Sequence, residues 1–358
     1  MFPDKLSSAC EDCVVLHQCD NCGGKLVCKP YGSLKCGIFK CNSCGEEYYI
    51  QRAVKRQLKQ HHLDLALVRE RIKPASAMIA TCYHGEVVGV KADGTVITTE
   101  SKRTVSTWKD IIAVAAADRL GLITGNHNHL VGLKTDGTVV HNSLSGQPME
   151  PDWRDIIAIS VWNNRVIGLK KDGTVLQMSS DTTSDSILEG WKDVAVISKG
   201  GINLAALKTD GSVLITDEYL QSVVSNWTNE NIIAVESGYN YIVGLRLDGT
   251  VIAEGRNNGT QRDVSKWNNI VSIAAGVEHI VGLKIDGTVV AVGDNFLGQC
   301  NTQKWTDVIA VAASKFETIA LKEDGTVVRT GEETNENNIN TWKLFDSLES
   351  LAQIRTKR

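Results

Sequence analysis

The sequence has no apolar run long enough to cross a membrane; its longest, such as Ile111–Ala117, fall far short of a span. Met1 to Ala9 hold no apolar run of signal-peptide length, so a cytoplasmic setting with reduced thiols is expected. No His-Glu-x-x-His, Gly-x-Ser-x-Gly, phosphate loop or dinucleotide fingerprint occurs. The eight His residues (17, 61, 62, 84, 127, 129, 141 and 279) are dispersed. Every specific reason to propose an enzyme is therefore missing, and the expectation is a non-catalytic protein. Aromatics are also scarce, at 6% of 358 residues, yet eight of the twenty are Trp.

Charge is unevenly spread. Residues 1–75 carry 12 Lys/Arg against 8 Asp/Glu, a net +4, and the remainder carries 26 against 34, a net −8. An acidic body argues against a large phosphate-binding face there and leaves nucleic-acid binding open for the N-terminal head alone.

Eight of the ten cysteines lie in residues 10–44. Cys19-x-x-Cys22 and Cys41-x-x-Cys44, each followed by Gly, suit one tetrahedral Zn²⁺ held by four thiolates, a closed site that would supply folding energy to a small segment. This pattern resembles a zinc ribbon, spanning 1–45. Cys10 and Cys13 form a third Cys-x-x-Cys, which with Cys28 and Cys36 would complete a second site; the alternatives are free thiols or His17 as a substitute ligand. Thiolates in this glycine context favour zinc over an iron–sulfur cluster.

From Glu46 to Lys73, residues Ile50, Val54, Leu58, His61, Leu65, Val68 and Ile72 trace one helical face, and Pro74 stops the helix. The expected segment, 46–75, is an amphipathic helix that packs on a neighbouring domain or dimerises as a short coiled coil.

The rest is an internal repeat. Asp-Gly recurs at Asp93, Asp136, Asp172, Asp210, Asp248, Asp286 and Asp324, at intervals of 43, 36, 38, 38, 38 and 38 residues. Trp108, Trp153, Trp191, Trp227, Trp267, Trp305 and Trp342 recur in step. Each unit holds three short β-branched runs, the last two joined by the Asp-Gly hairpin signal, which accounts for the carboxylates without invoking cations. Three strands cannot bury both faces alone, so seven units must pack radially as a β-propeller over 76–347, with 348–358 as a tail. The fold expected is mainly β: a seven-bladed propeller behind a zinc ribbon and one long helix. Small residues recur in the first strand (Ala113, Ala158, Ala234) and the middle strand (Gly132, Gly168, Gly282), where sheets converge. The Trp series would wedge between blades.

The His279-x-Val-Gly-Leu-Lys and Asp286-Gly-Thr-Val-Val-Ala-Val-Gly-Asp-Asn patterns, through Gly298-Gln-Cys300, resemble the regulator-of-chromosome-condensation repeat family. The short period is similar to that of bacterial members with three-stranded blades. The resemblance implies a propeller that binds protein partners on its rim. One eukaryotic member is a guanine-nucleotide exchange factor, an activity for which this chain has no matching insertion. The family's His at the start of the middle strand stands only at His129 and His279, with Glu86, Arg165, Asn203, Tyr241 and Glu317 elsewhere. Ring closure is expected from Trp342-Lys-Leu-Phe345 docking on blade 1.

Function in a propeller lives on rim loops, because its strands are committed to packing. The turns between first and second strands offer Tyr83, Trp162, Arg165, Tyr239, Tyr241 and Phe316, an aromatic and arginine set suited to a protein partner. Trp162, out of step with the repeat, is expected to be exposed there, or else to plug the channel mouth or cap a neighbouring blade. The leading expectation is an adaptor or scaffold. A nucleic-acid-associated regulator using the basic head, and a regulator of another enzyme of exchange-factor or inhibitor type, are the alternatives.

Overall fold

The computed structural model describes residues 26–31, 34–41, 47–49, 75, 77–82, 85–99, 105–117, 129–142, 148–149, 152–162, 165–179, 188–198, 203–228, 230–256, 263–331 and 339–347. The chain divides into two compact units, Met1–Ala66 and Leu67–Arg358, a boundary nine residues ahead of the one expected at 75/76.

In the first unit, β1 (Leu26–Tyr31), β2 (Leu34–Cys41) and β3 (Glu47–Tyr49) form an antiparallel sheet in that order. Cys28 lies on β1 opposite Phe39, while Cys36 and Cys41 lie on β2, with Cys41 opposite Leu26. Cys10, Cys13, Cys19, Cys22 and Cys44 fall outside the described residues. The helix expected from Glu46 is corrected at its start: Glu47–Tyr49 pair with Lys40, Phe39 and Ile38 as a strand. Two consecutive tyrosines favour extended backbone, and a sheet edge was available to pair with. Residues 50–74, the remainder of that helix, lie outside the described set.

The second unit is the seven-bladed propeller. Blade 1 is β4 (Ile79–Thr81), β5 (Val87–Val90) and β6 (Val96–Thr98). Blade 2 is β7 (Ile111–Ala117), β8 (His129–Lys134), β9 (Val139–Asn142) and a two-residue fourth strand, β10 (Pro148–Met149). Blade 3 is β11 (Ile156–Trp162), β12 (Arg165–Lys170) and β13 (Val175–Ser179), and blade 4 is β14 (Val194–Ile197), β15 (Ala205–Lys208) and β16 (Val213–Ile215). Blade 5 is β17 (Ile232–Ser237), β18 (Tyr241–Arg246) and β19 (Val251–Gly255); blade 6 is β20 (Ile270–Ala275), β21 (His279–Lys284) and β22 (Val289–Gly293). Blade 7 is β23 (Val308–Ala313), β24 (Glu317–Lys322) and β25 (Val327–Gly331). Each first strand neighbours the next around the ring, and β23 meets β4 to close it.

Local chemistry makes each blade. In the Asp-Gly loop, Gly94 N donates to Lys91 O and Lys91 N to Thr95 O, a three-residue hairpin loop whose glycine has φ +81°. Asp93 Oδ1 accepts from Thr95 N at 2.8 Å and Thr95 Oγ1 at 2.6 Å, and these bonds hold its carboxyl below the usual range. The same pattern at Asp136, Asp248, Asp286 and Asp324 leaves these carboxylates making turns.

A second device follows the Trp. Asp110, Asp155, Asp193, Asn231, Asn269 and Asp307 all have φ between +50° and +60°, a region Asp and Asn tolerate. A bulge follows in each of these six first strands, as between Ile111 and Ala113. Five of the six Asx residues stand two residues after the Trp, a recurring Trp-x-Asx in the sequence, and Asn231 stands four after Trp227.

The Trp side chains pack between blades as expected. Trp191 joins Ile167, Leu169 and Val175 of blade 3 to Val194, Ile197 and Leu204 at blade 4. Trp108, Trp153, Trp227 and Trp267 also lie over a middle-strand glycine: a Cβ on Gly168 would stand 2.8 Å from Trp153. Between blades 4 and 5, helix α1 (Glu218–Val224) is capped by Asp217 and buries Leu220 and Val224. Its Gln221 amide accepts from Ile215 N and donates to Val213 O, which covers the outer edge of β16.

The expected closure is found, with Leu344 in the central role. Leu344 N donates to Gly325 O at 2.8 Å, as Ile111 N does to Gly94 O, and Ala92 N donates to Leu344 O at 2.8 Å. Leu344 faces Gly89, where a Cβ would come within 2.9 Å of its Cδ2. Trp342 is buried beside it, and Thr326 bridges Lys343. Blade 1 is thus composite, with its first strand from one end of the propeller sequence and its lead-in from the other.

Candidate functional site

Seven side chains at the head of each second strand form a polar belt at one end of the blades: Glu86, His129, Arg165, Asn203, Tyr241, His279 and Glu317. The residue twelve positions later, on the third strand, decides what each one does. Glu86 Oε1 accepts from Thr98 Oγ1 at 2.7 Å. Arg165 Nη1 donates to Gln177 Oε1 at 3.1 Å, and Arg329 Nη2 lies 3.4 Å from Glu317 Oε2. His129 Nε2 and His141 Nδ1 are 3.2 Å apart.

Where that later residue is Ala253 or Ala291, the belt residue reaches forward to the next blade. Tyr241 Oη donates to His279 O at 2.6 Å, with Gly276 O at 2.9 Å. His279 Nε2 is 2.9 Å from Thr318 Oγ1. Glu317 does both, also accepting from Thr81 Oγ1 across the closure. Asn203 Nδ2 donates to Tyr239 O at 3.2 Å. The belt stitches blade to blade, and these roles account for the departures from the repeated His.

Thr318 Oγ1 donates to Gln299 O at 2.8 Å, so it must accept from His279 Nε2–H. His279 Nδ1 is then a buried lone pair with no partner among the described residues. Burial pushes this imidazole down to about 4, against an opposing pull from the Asp294 charge. The unfolded chain protonates near 6.5, so it binds more protons between pH 6.5 and 4, and stability falls as pH drops through that window. The loss expected is about 3 kcal/mol. Urea unfolding from pH 7 to 4.5 checks it: His279→Gln should show a shallower pH dependence than the parent, and equal slopes would refute the assignment.

Two of the aromatic residues expected on the rim belong to the core. Trp162 is 5% exposed and packs with Ile167, Leu188 and Trp191, while Tyr241 is fully buried. Trp162 has a packing slot because β11 runs to its turn and directs the indole into the space between blades 3 and 4. Arg165 is buried with its guanidinium 5.5 Å from the Trp162 ring centroid. Tyr83 lies outside the described residues. Tyr239 is 48% exposed, and Phe316 is half-buried under Lys315 Nζ at 4.4 Å. These rim turns are joined: Tyr239 N donates to Val277 O and Val277 N to Ser314 O.

Phe296 was missed, and it is the most exposed large apolar side chain described, at 89%, with Leu297 beside it. Its loop leaves the same end of blade 6, where Asp294 N donates to Glu278 O. Gln299 is fully buried, donating to Asp294 Oδ2 and accepting from Leu297 N; Asn295 Oδ1 accepts from Cys300 N. Thr330 Oγ1 donates to Gly298 O, which ties the loop to blade 7. Phe296 is therefore displayed on a cross-braced loop. Cys300, by contrast, is buried with its thiol pushed up to about 11 by desolvation and the Asp294 charge, which makes it unreactive.

Among the described residues, no three His, Cys, Asp or Glu side chains are grouped to hold a metal, and no helix is long and apolar enough to cross a membrane. Residues 270–299, which supply β20 to β22 and the Phe296 loop, match the Regulator of chromosome condensation (RCC1) repeat. Blade 6 thus carries an RCC1-like repeat. No curated protein matches the chain in sequence.

Solved structures similar to it include the CRINKLY WD40 ectodomain of the Arabidopsis thaliana receptor kinase ACR4, at 17% identity and a TM-score of 0.50, covering 71% of this chain and 94% of that one. Prp20p of Saccharomyces cerevisiae, with binding properties to Gsp1p and histones, aligns at 16% identity and 0.48, covering 66% and 75%. The ectodomain of the Physcomitrella patens receptor kinase CR4 aligns at 20% identity and 0.48, covering 61% of this chain and 63% of that ectodomain. At such identities the likeness is one of fold, and the propeller's own surface must carry the functional argument.

Proposed function

We propose that the RCC1-like propeller is a non-catalytic platform that binds a protein partner on the rim of blades 5 to 7, around Phe296, Leu297, Tyr239 and Phe316. The observation that carries this is Phe296, held almost fully exposed by a hydrogen-bonded loop. An apolar ring on a rigid support binds without the entropic cost of ordering a loop. Tyr239 and Phe316 add aromatic area along linked turns, and Lys315 and the exposed Arg256 supply charge at its border.

For the N-terminal unit we propose structural zinc, with Cys19, Cys22, Cys41 and Cys44 as its ligands. The Cys-x-x-Cys spacing supports it, as does a three-stranded sheet too small to bury a core by itself.

The rim is tested by recovering the native partner with the parent and with Phe296→Asp/Leu297→Asp. Recovery should fall about thirtyfold, equivalent to roughly 2 kcal/mol at a hot spot. The melting transition should hardly move, because neither side chain is in the core. Undiminished recovery with an unchanged melt would remove this rim from the proposal.

A further inference from the structure

The described residues of the propeller include five arginines, and four of them are committed within the fold. Arg154 meets Asp152, Arg246 meets Glu230, Arg329 faces Glu317, and Arg165 donates to Gln177. Arg256 is the exception. It is exposed, and among the described residues its guanidinium takes part in no hydrogen bond or ion pair. Carboxylates are at hand: Glu254 stands two residues earlier on β19, and Glu218 is next to Tyr219, both exposed and neither paired with it.

The guanidinium instead lies over the Tyr219 ring, its central carbon 4.8 Å from the ring centroid. Both halves of the stack are anchored. Arg256 N donates to Asn240 O at 2.9 Å, and Tyr219 stands on α1, whose Asp217 cap accepts from Leu220 N at 2.8 Å. A planar fork laid on an aromatic face keeps its N–H edge available to a carboxylate, which it takes in two parallel bonds.

The stack continues the rim. Tyr239, next to Asn240, bonds to Asn203 of blade 4 through its carbonyl and to Val277 of blade 6 through its amide. Tyr219 is itself 42% exposed, on the connection that leaves the third strand of blade 4, as Phe296 stands on the one that leaves the third strand of blade 6. Arg256 belongs to the blade between them. We propose that Tyr219 and Arg256 are the anion-reading part of this rim. The partner presents a single carboxylate there, an Asp or Glu side chain, within a segment whose apolar residues reach Tyr239 and Phe296. The inference rests on the rim reading above and gives the partner a chemistry. One guanidinium matches one negative charge, and beside Glu218 and Glu254, in residues 76–358 of net charge −8, a phosphate dianion is disfavoured.

Selection of phage-displayed random peptides on the full chain tests this. Peptides whose binding is lost in Phe296→Asp/Leu297→Asp report on the rim, and these should be enriched in Asp or Glu next to apolar residues. Such a peptide, synthesised and titrated, should bind Arg256→Gln about ten- to a hundredfold more weakly than the parent. Arg256→Lys, which keeps the charge without the planar fork, should recover only part of the loss. Replacing the peptide's carboxylate by its amide should weaken binding to the parent equally and to Arg256→Gln no further. Rim-directed peptides without acidic enrichment, or equal affinity for parent and Arg256→Gln with an unchanged melt, would overturn the inference and leave the rim standing. Tighter binding of a phosphoserine version would overturn it too. If no selected peptide responds to Phe296→Asp/Leu297→Asp, the rim reading itself fails and this inference goes with it.

Discussion

A chain ending at Asn340 should fail to show a cooperative unfolding transition. Truncation there removes Trp342, Leu344 and Phe345, which are 7%, 2% and 3% exposed. Burying each such side chain contributes about 1.5–3 kcal/mol, so the loss is roughly 5–9 kcal/mol. That is comparable with the whole stability of an ordinary domain, about 5–15 kcal/mol. The amide of Ala92 and the carbonyl of Gly325 lose their Leu344 partners in the same step. A milder version is Leu344→Ala, which empties the space over Gly89 and should cost about 2–5 kcal/mol. Urea unfolding followed by near-ultraviolet circular dichroism reads both; a truncated chain that unfolds like the parent would show the strap to be ornamental.

The second large effect is expected at Glu317. Its carboxylate is 1% exposed, faces Arg329 Nη2 at 3.4 Å and accepts from Thr81 on blade 1. Glu317→Ala leaves a buried guanidinium without its opposing charge, and removing one partner of such a pair costs about 3–5 kcal/mol. Replacing both residues, Glu317→Leu with Arg329→Met, should recover most of that loss, because a buried ion pair is offset by its own desolvation. A double-mutant cycle on unfolding free energies separates the two cases. If the double variant is as unstable as the single one, the pair's worth lies elsewhere, in its bonds across the ring.

The propeller could be read in the sequence because its determinants are local and repeated. Asp-Gly-Thr makes a turn by itself, and Trp at a constant offset needs only a neighbouring glycine to pack against. The belt was harder, since Tyr241 and Glu317 occupy the same repeat position yet have different fates. Which way each side chain turns depends on a residue twelve places on, Ala253 in one case and Arg329 in the other. Trp162 misled for a related reason: being out of step with the repeat says nothing about whether a slot exists between two blades. Phe296 was in view as part of a family pattern. Its exposure follows from Gln299 bonding Asp294 while Asn295 bonds Asn301 and the Cys300 amide, which no periodicity reveals.

The composite blade 1 also has a consequence for birth on the ribosome. Thr81 and Glu317 are 236 residues apart, and Leu344 is later still, so the first blade to emerge is the last to be completed. At about 5–20 residues per second, blade 1 waits many seconds with its apolar face uncovered. During that interval the nascent chain is an open arc whose terminal sheets could pair with the wrong neighbour, and whose escape from that hazard depends on chaperones or on speed.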